Sequence, residues 1–247
     1  MVKFVVFCTK VIAAAIVAVV VSSCNVRDLH IGNGIDGNGN VIKQTRNVEN
    51  NFTKVDVSRG LVVILEQSNA YFVAVEADEN LQEHITTRVE NGTLFVTSNE
   101  AIDEATAKTI HVKLPALTTI ETSSGSSVNS KNVITGTDLT IRSSSGSETD
   151  ITIEFDNIKT KATNGSSIIL KGKALMLNTD TSSGSSIEAK NLLVNEVVAE
   201  ASNGSSIQVH PILKLTGKAS SGSSINYDSA PKTVTKEESS GGSVSKD

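Results

Sequence analysis

A short Ser-Gly-Ser motif recurs through the second half of this 247-residue chain at a nearly constant interval, and that periodicity restricts the fold more than any other feature. SSGSS at 123–127, SSSGSE at 143–148, TNGSS at 163–167, SSGSS at 182–186, SNGSS at 202–206 and SSGSS at 220–224 place glycines at 125, 146, 165, 184, 204 and 222. The intervals are 21, 19, 19, 20 and 18 residues. The flanks repeat as well. Three residues after each glycine stand Val128, Thr149, Ile168, Ile187, Ile207 and Ile225; three before stand Thr122, Ser143, Ala162, Thr181, Ala201 and Ala219. Positions two before and two after are polar throughout, Glu148 included. Odd offsets therefore face inward and even offsets face solvent, the period of a half-buried strand.

A unit of this size has no helical segment and cannot bury its own apolar edge, so it must stack on its neighbours. The expected fold is all-β, a right-handed parallel β-helix (β-solenoid) with coils of about 19–20 residues; the hand follows from the bias of parallel crossovers. Glycine at one level of every coil lets the chain turn where a Cβ would clash, and Asn164 and Asn203 just before it suit left-handed φ.

The region before the coils also reads as strand, less regularly. Val55 and Val57, Leu61 to Leu65 and Phe72 to Val75 carry the alternation; 78–84 is the only stretch that reads as a helical turn; Asn91-Gly92 tips a hairpin; and a strand over 110–114 stops at Pro115. This predicts an irregular N-terminal portion from residue 49 and regular coils from about 118 to 228. The polar tail, 229–247, carries a faint echo of the motif (SSGGSV, 239–244) and reads either as a frayed last coil or as disorder.

Residues 1–23 combine Lys3 and Lys10 with an apolar run from Val11 to Val21, the pattern of a secretory signal. Eleven apolar residues are short against the roughly 20 needed to span a bilayer. The run ends at VSSC (21–24), which resembles a bacterial lipobox and marks Cys24 as the lipidation site. Its acyl chains would then anchor the protein in the membrane. The Gly/Asn-rich stretch that follows makes 24–48 a tether. Gly32, Gly34 and Gly37 spell GxGxxG there, but neither a strand before nor a helix after accompanies them, so a dinucleotide site is not expected.

Composition removes several functions. Without the leader the chain holds 20 Lys+Arg against 27 Asp+Glu, with 3% aromatics and no Trp, which excludes nucleic acid as a natural partner. His30, His84, His111 and His210 have no ligand-spaced partners, so neither a metal nor a cofactor is expected. The acidic residues nearest to a cluster, Asp150, Glu154 and Asp156, recur at no common offset from the glycines, and no nucleophile motif is present, so no catalytic residues are assigned. Asp228-Ser229-Ala230 resembles an O-glycosylation triplet of some periplasmic systems and makes Ser229 a candidate acceptor.

Taken together, the lipobox, GNGNVIKQTRNV (37–48), FTKVDVSRGLVVILEQ (52–67), VAVEADENLQEHI (73–85), VENGTLFV (89–96) and the Ser/Gly coils resemble the head GIN domain family of "putative auto-transporter adhesins". Arg59, where a small residue is expected before Gly60, is the one departure. The resemblance implies a lipid-anchored β-helical protein of the Gram-negative outer membrane, at the cell surface or on the periplasmic side, with no catalytic residues to carry over. The function expected is non-enzymatic: an adhesin that displays a rigid surface to a glycan or protein ligand. The alternatives are an envelope-assembly component that packs through a solenoid end and, third, a carbohydrate-active β-helix enzyme. Oligomeric state is not legible.

Overall fold

Each motif folds as a two-residue turn in which both central residues take positive φ: 53° and 69° at Ser124 and Gly125, 55° and 72° at Asn164 and Gly165. This is type I′ geometry, open to Gly and tolerated by Asn; Ser124, Ser145, Ser183 and Ser221 adopt it too. What holds them is the neighbouring coil. The amide of Gly125 donates to the Ser145 carbonyl at 3.0 Å, that of Gly146 to Asn164 and that of Gly165 to Ser183, both at 3.1 Å, so the turns stack in one column. The column runs past the six motifs at both ends. Arg59-Gly60 has φ of 61° and 70° with Gly60 N bonded to Ser124 O, and Ser240-Gly241 has 49° and 77° with Ser240 O accepting from Gly222 N.

The computed structural model describes residues 34–247, with seventeen strands and a single 3₁₀ turn, Glu79–Leu81. In the regular part, β8 (Thr119–Thr122), β9 (Ser127–Ser130), β10 (Ile134–Ser144), β11 (Glu148–Thr163), β12 (Ser167–Thr181), β13 (Ser186–Ala201), β14 (Ser206–Ala219) and β15 (Ser224–Tyr227) stack in parallel, each coil on its predecessor. Register follows the motif: Thr149, Ile168, Ile187, Ile207 and Ile225 are successive partners, all inaccessible to solvent. The 229–247 segment is a further coil. Its β16 (Thr233–Glu238) lies on β14 and its β17 (Ser243–Lys246) on β15.

The N-terminal portion does not stack in chain order. Here β2 (Lys54–Val57), the Arg59-Gly60 turn and β3 (Val62–Gln67) form a coil that pairs with β8 and β9 on one side. On its other side lie β6 (Thr93–Ser98) and β7 (Lys108–Leu114), both parallel to it. Antiparallel strands then close the stack: β5 (Ile85–Glu90) on β6 through the Asn91-Gly92 hairpin, and β4 (Phe72–Asp78) on β7 with β1 (Val41–Thr45) outermost. Antiparallel covering removes the parallel edges that an unfinished solenoid would expose.

The tether expectation fails from Gly34 onward. Ile35 bridges Ile102, Gly37 N donates to Glu104 O at 2.7 Å, and residues 41–45 are strand. The glycines serve close approach rather than flexibility: a Cβ on Gly37 would lie 2.6 Å from the Asp78 carboxyl carbon. Asp78 is fully buried, accepting from Gly39 N at 2.6 Å and from Thr106 N and Ala107 N at 2.8 and 3.0 Å. One carboxylate thus ties the incoming strap to the loop between β6 and β7, and these amides, led by that of Ala107, hold its pKa below the ordinary value.

Candidate functional site

Cys24, His30 and the signal segment lie outside the described residues. Ser229 is half-buried, and its hydroxyl donates to the Pro211 carbonyl of the coil below at 2.6 Å; Asp228 beside it meets His210 at 2.7 Å. The remaining histidines are apart, His84 against Asn99 and His111 against Glu76. Asp150, Glu154 and Asp156 do not converge. Asp150 pairs with Lys171 at 2.8 Å and Glu154 with Lys173 at 3.4 Å, each one coil along. Among the described residues no three His, Cys, Asp or Glu side chains are placed to hold a metal.

The serines divide between interior and surface. Those directly after each glycine, Ser126, Ser147, Ser166, Ser185, Ser205 and Ser223, are buried. Five of the hydroxyls accept the amide three residues back and donate to a carbonyl of the preceding coil, as Ser166 does with Thr163 N and Ser143 O. Ser185 Oγ has no partner. These hydroxyls fasten each turn to the preceding coil, and the rows at ±2 supply the half-exposed ones. Outside them runs a row missed at the sequence level: four residues before each glycine stand Glu121, Arg142, Lys161, Asp180, Glu200 and Lys218. Arg142–Glu121 and Lys161–Asp180 pair at 2.8 Å. Counting both signs of charge at one offset would have revealed it. The row largely neutralises itself and presents no pair of unpaired carboxylates for acid–base work.

A depression lined by an excess of bases lies elsewhere, where the antiparallel cap meets the parallel face. It is a cleft of about 530 Å³ lined by Lys43 of β1, Phe72 of β4, Ile64 and Glu66 of β3, His111 and Lys113 of β7, Tyr71 before β4, and Lys131 after β9. Register sets the rows, since Ile64 opposes His111 and Glu66 opposes Lys113. Two carboxylates organise the charges. Glu76 Oε2 lies 3.1 Å from Lys43 Nζ and 2.9 Å from His111 Nε2; Glu66 lies 2.8 Å from Lys131 and 3.2 Å from Lys113. Lys131, then Lys113, hold the Glu66 carboxyl below its ordinary pKa, and Lys43, then His111, do so for Glu76, so both stay anionic. Tyr71 packs against buried Phe52, ring centroids 5.0 Å apart. These residues come from five segments spread over ninety positions. The only sequence signal was a polar side chain at the outward positions of otherwise apolar strands.

A second surface is apolar. Leu175, Leu193 and Ile212, 42–54% exposed, flank a shallow depression of about 380 Å³ over Phe155 at one corner of the coils. At the far end of the stack, β16 and β17 carry no further strand among the described residues; Lys236 and Glu238 close over the Val244 backbone instead.

Residues 51–231 match the family described as "Putative auto-transporter adhesin, head GIN domain". The fold is that of a putative adhesin from Bacteroides fragilis NCTC 9343, at 20% identity and a TM-score of 0.81 over 87% of this chain and all of that one. It is also similar to a putative adhesin from Parabacteroides merdae ATCC 43184 (18%, TM-score 0.69, 86% and 98% covered). A third likeness is to a protein called a putative lipid binding protein from Parabacteroides distasonis ATCC 8503 (19%, TM-score 0.69, 86% and 99%). No curated protein matches.

Proposed function

This chain belongs to the head GIN domain family, and from that premise we propose that it is a non-enzymatic envelope lipoprotein, anchored through Cys24, whose β-helix presents a rigid binding surface to an external ligand. The observation that carries this reading is the cleft beneath β1 and β4. Its floor, on β3 and β7, stands on strands paired on both sides, and its charges are held by ion pairs before any ligand arrives, so little ordering remains for binding to accomplish. The family and the adhesin-named neighbours support a role in the envelope.

The test is protease shaving of intact cells followed by detection of the C-terminal coils, with a periplasmic protein as leakage control. Loss of the coils is expected, and Cys24→Ala should release the protein from the membrane fraction. Full protection of the coils would sink the adhesin reading. A second reading, assembly within the envelope, rests on the edges of β16 and β17, which carry no further strand among the described residues, and on the apolar corner at Leu175, Leu193 and Ile212. The neighbour named for lipid binding makes that corner the place to look for an apolar partner. Protection from protease together with crosslinks from this end or corner would establish it.

A further inference from the structure

We propose that the cleft beneath β1 and β4 binds an acidic oligosaccharide, its carboxylates met by Lys43, Lys113 and Lys131 and a sugar ring laid against Tyr71 and Phe72. The proposal rests on the display reading above and gives it a ligand class.

The backbone argues first for a ligand read by side chains. At the floor of the cleft β7 is hydrogen-bonded to β4 and β3, and β3 to β7 and β9, so no strand edge is open there. A peptide recognised by strand addition would find no ladder to join at this floor, the outer edge of β1 lying at the rim. A glycan needs none, because its hydroxyls and carboxylates are read by side chains.

The charges argue next for an acid. Each of two glutamates is shared between two bases, and the cleft is lined by three lysines and a histidine with Glu66 among them, while Glu76 meets Lys43 and His111 from outside the lining. An ammonium has three donors, and the pairings with Glu66 and Glu76 use one on each lysine. Lys43 and Lys131 are 47% and 63% exposed at the side chain, leaving the other donors available to a ligand carboxylate. The charged row on the neighbouring face, by contrast, carries three acids and three bases, and the depression of about 510 Å³ at its start sets Lys54 and Arg142 against Asp56 and Glu121 beside Phe95, so its charges balance.

The aromatic wall argues last for a ring. Tyr71 is braced from behind by Phe52, and Phe72 lies next to it in the lining. A flat apolar face of this kind suits the C–H side of a pyranose, while the lysines across the cleft take the polar side.

The experiment is calorimetric titration of the full-length protein in detergent with oligogalacturonate, its methyl-esterified neutral form and a neutral oligoglucan. Oligogalacturonate is expected to bind at least tenfold more tightly than the ester, and to weaken as salt is raised. The Lys113→Ala/Lys131→Ala double variant and, separately, Tyr71→Ala should each lose tenfold or more, with unchanged melting temperatures. Lys159→Ala/Lys161→Ala, on the neighbouring face, should bind as wild type. Equal binding of acid and ester, still lost in Tyr71→Ala, would overturn the acidic class and leave the display reading standing. No binding of any glycan, or binding unaffected by all cleft variants, would overturn the cleft as a glycan site; cell shaving then decides the display reading separately.

Discussion

The capped N-terminal portion and the regular coils solve the same problem, an exposed strand edge, in opposite ways. From β8 to β17 each coil is laid on the one before it, and the edge is moved along by repetition, with one turn and one inward row serving every level. Before β8 the chain forms the coil of β2 and β3, leaves it to build β4 to β7 on the outer side, and returns to stack β8 and β9 on the inner side. The difference teaches where uniqueness comes from. Coils can be exchanged with their neighbours in kind, whereas the cap is held by a few non-repeating contacts, and it is beside these that the cleft is built.

The most severe break of that contrast is Asp78→Ala. It leaves the amides of Gly39, Thr106 and Ala107 without their acceptor, and charge-assisted hydrogen bonds are worth about 1.5–3 kcal/mol each. A loss of about 3 kcal/mol or more is expected, and hydrogen exchange should rise in β1 and the 99–107 loop while β11 to β13 stay protected. Uniform exchange over both regions would show the cap and coils to be one cooperative unit.

Acid should reach the same contrast more gradually. The Asp78 carboxyl has a folded pKa depressed below its unfolded value, so its contribution is fully present above about pH 4 and is lost as pH falls through the folded pKa. Glu66 and Glu76 have the same sign. Near-neutral pH should leave both regions intact, and below pH 4 the cap should lose protection before the coils.

Within the coils the serine fasteners offer a finer test. Ser166→Ala removes the hydroxyl that accepts from the Thr163 amide and donates to the Ser143 carbonyl, and should cost about 1–2 kcal/mol by denaturant melting. Ser185→Ala, at the equivalent place but with no partner for its hydroxyl, should cost less than about 0.5 kcal/mol. Equal losses would mean that burial of the side chain, rather than its hydrogen bonds, holds the turn. The smallest effect is expected at Asp56, raised above its ordinary pKa by burial and then by Glu121, its register partner on β8. Asp56→Asn should stabilise by roughly a few tenths of a kcal/mol at neutral pH and by less in acid.

The glycine spacing and the period-two flanks placed the coils, their turns and their inward rows, because register between coils repeats and each level carries its own copy of the information. The Asn91-Gly92 hairpin was legible for the same local reason. The buried serines after each glycine were open to the same reasoning, since they too stand at an odd offset; only their partners were not, because a hydroxyl's fate depends on whether a carbonyl lies opposite. The segment from 34 was misread as tether because glycine has two uses, freedom and closeness, and the buried Asp78 that demands closeness lies about forty residues away.

By itself, then, the sequence determined a β-solenoid with a fixed turn at every level, since repetition makes each contact local in the periodic sense. Tertiary structure alone decided the order of the first coils, the antiparallel cap and the meeting of Lys43, Glu66, His111, Lys113 and Lys131 in one cleft. The physical reason is that non-sequential stacking pairs segments through burial and edge satisfaction, which leave no period in the chain that folds to achieve them.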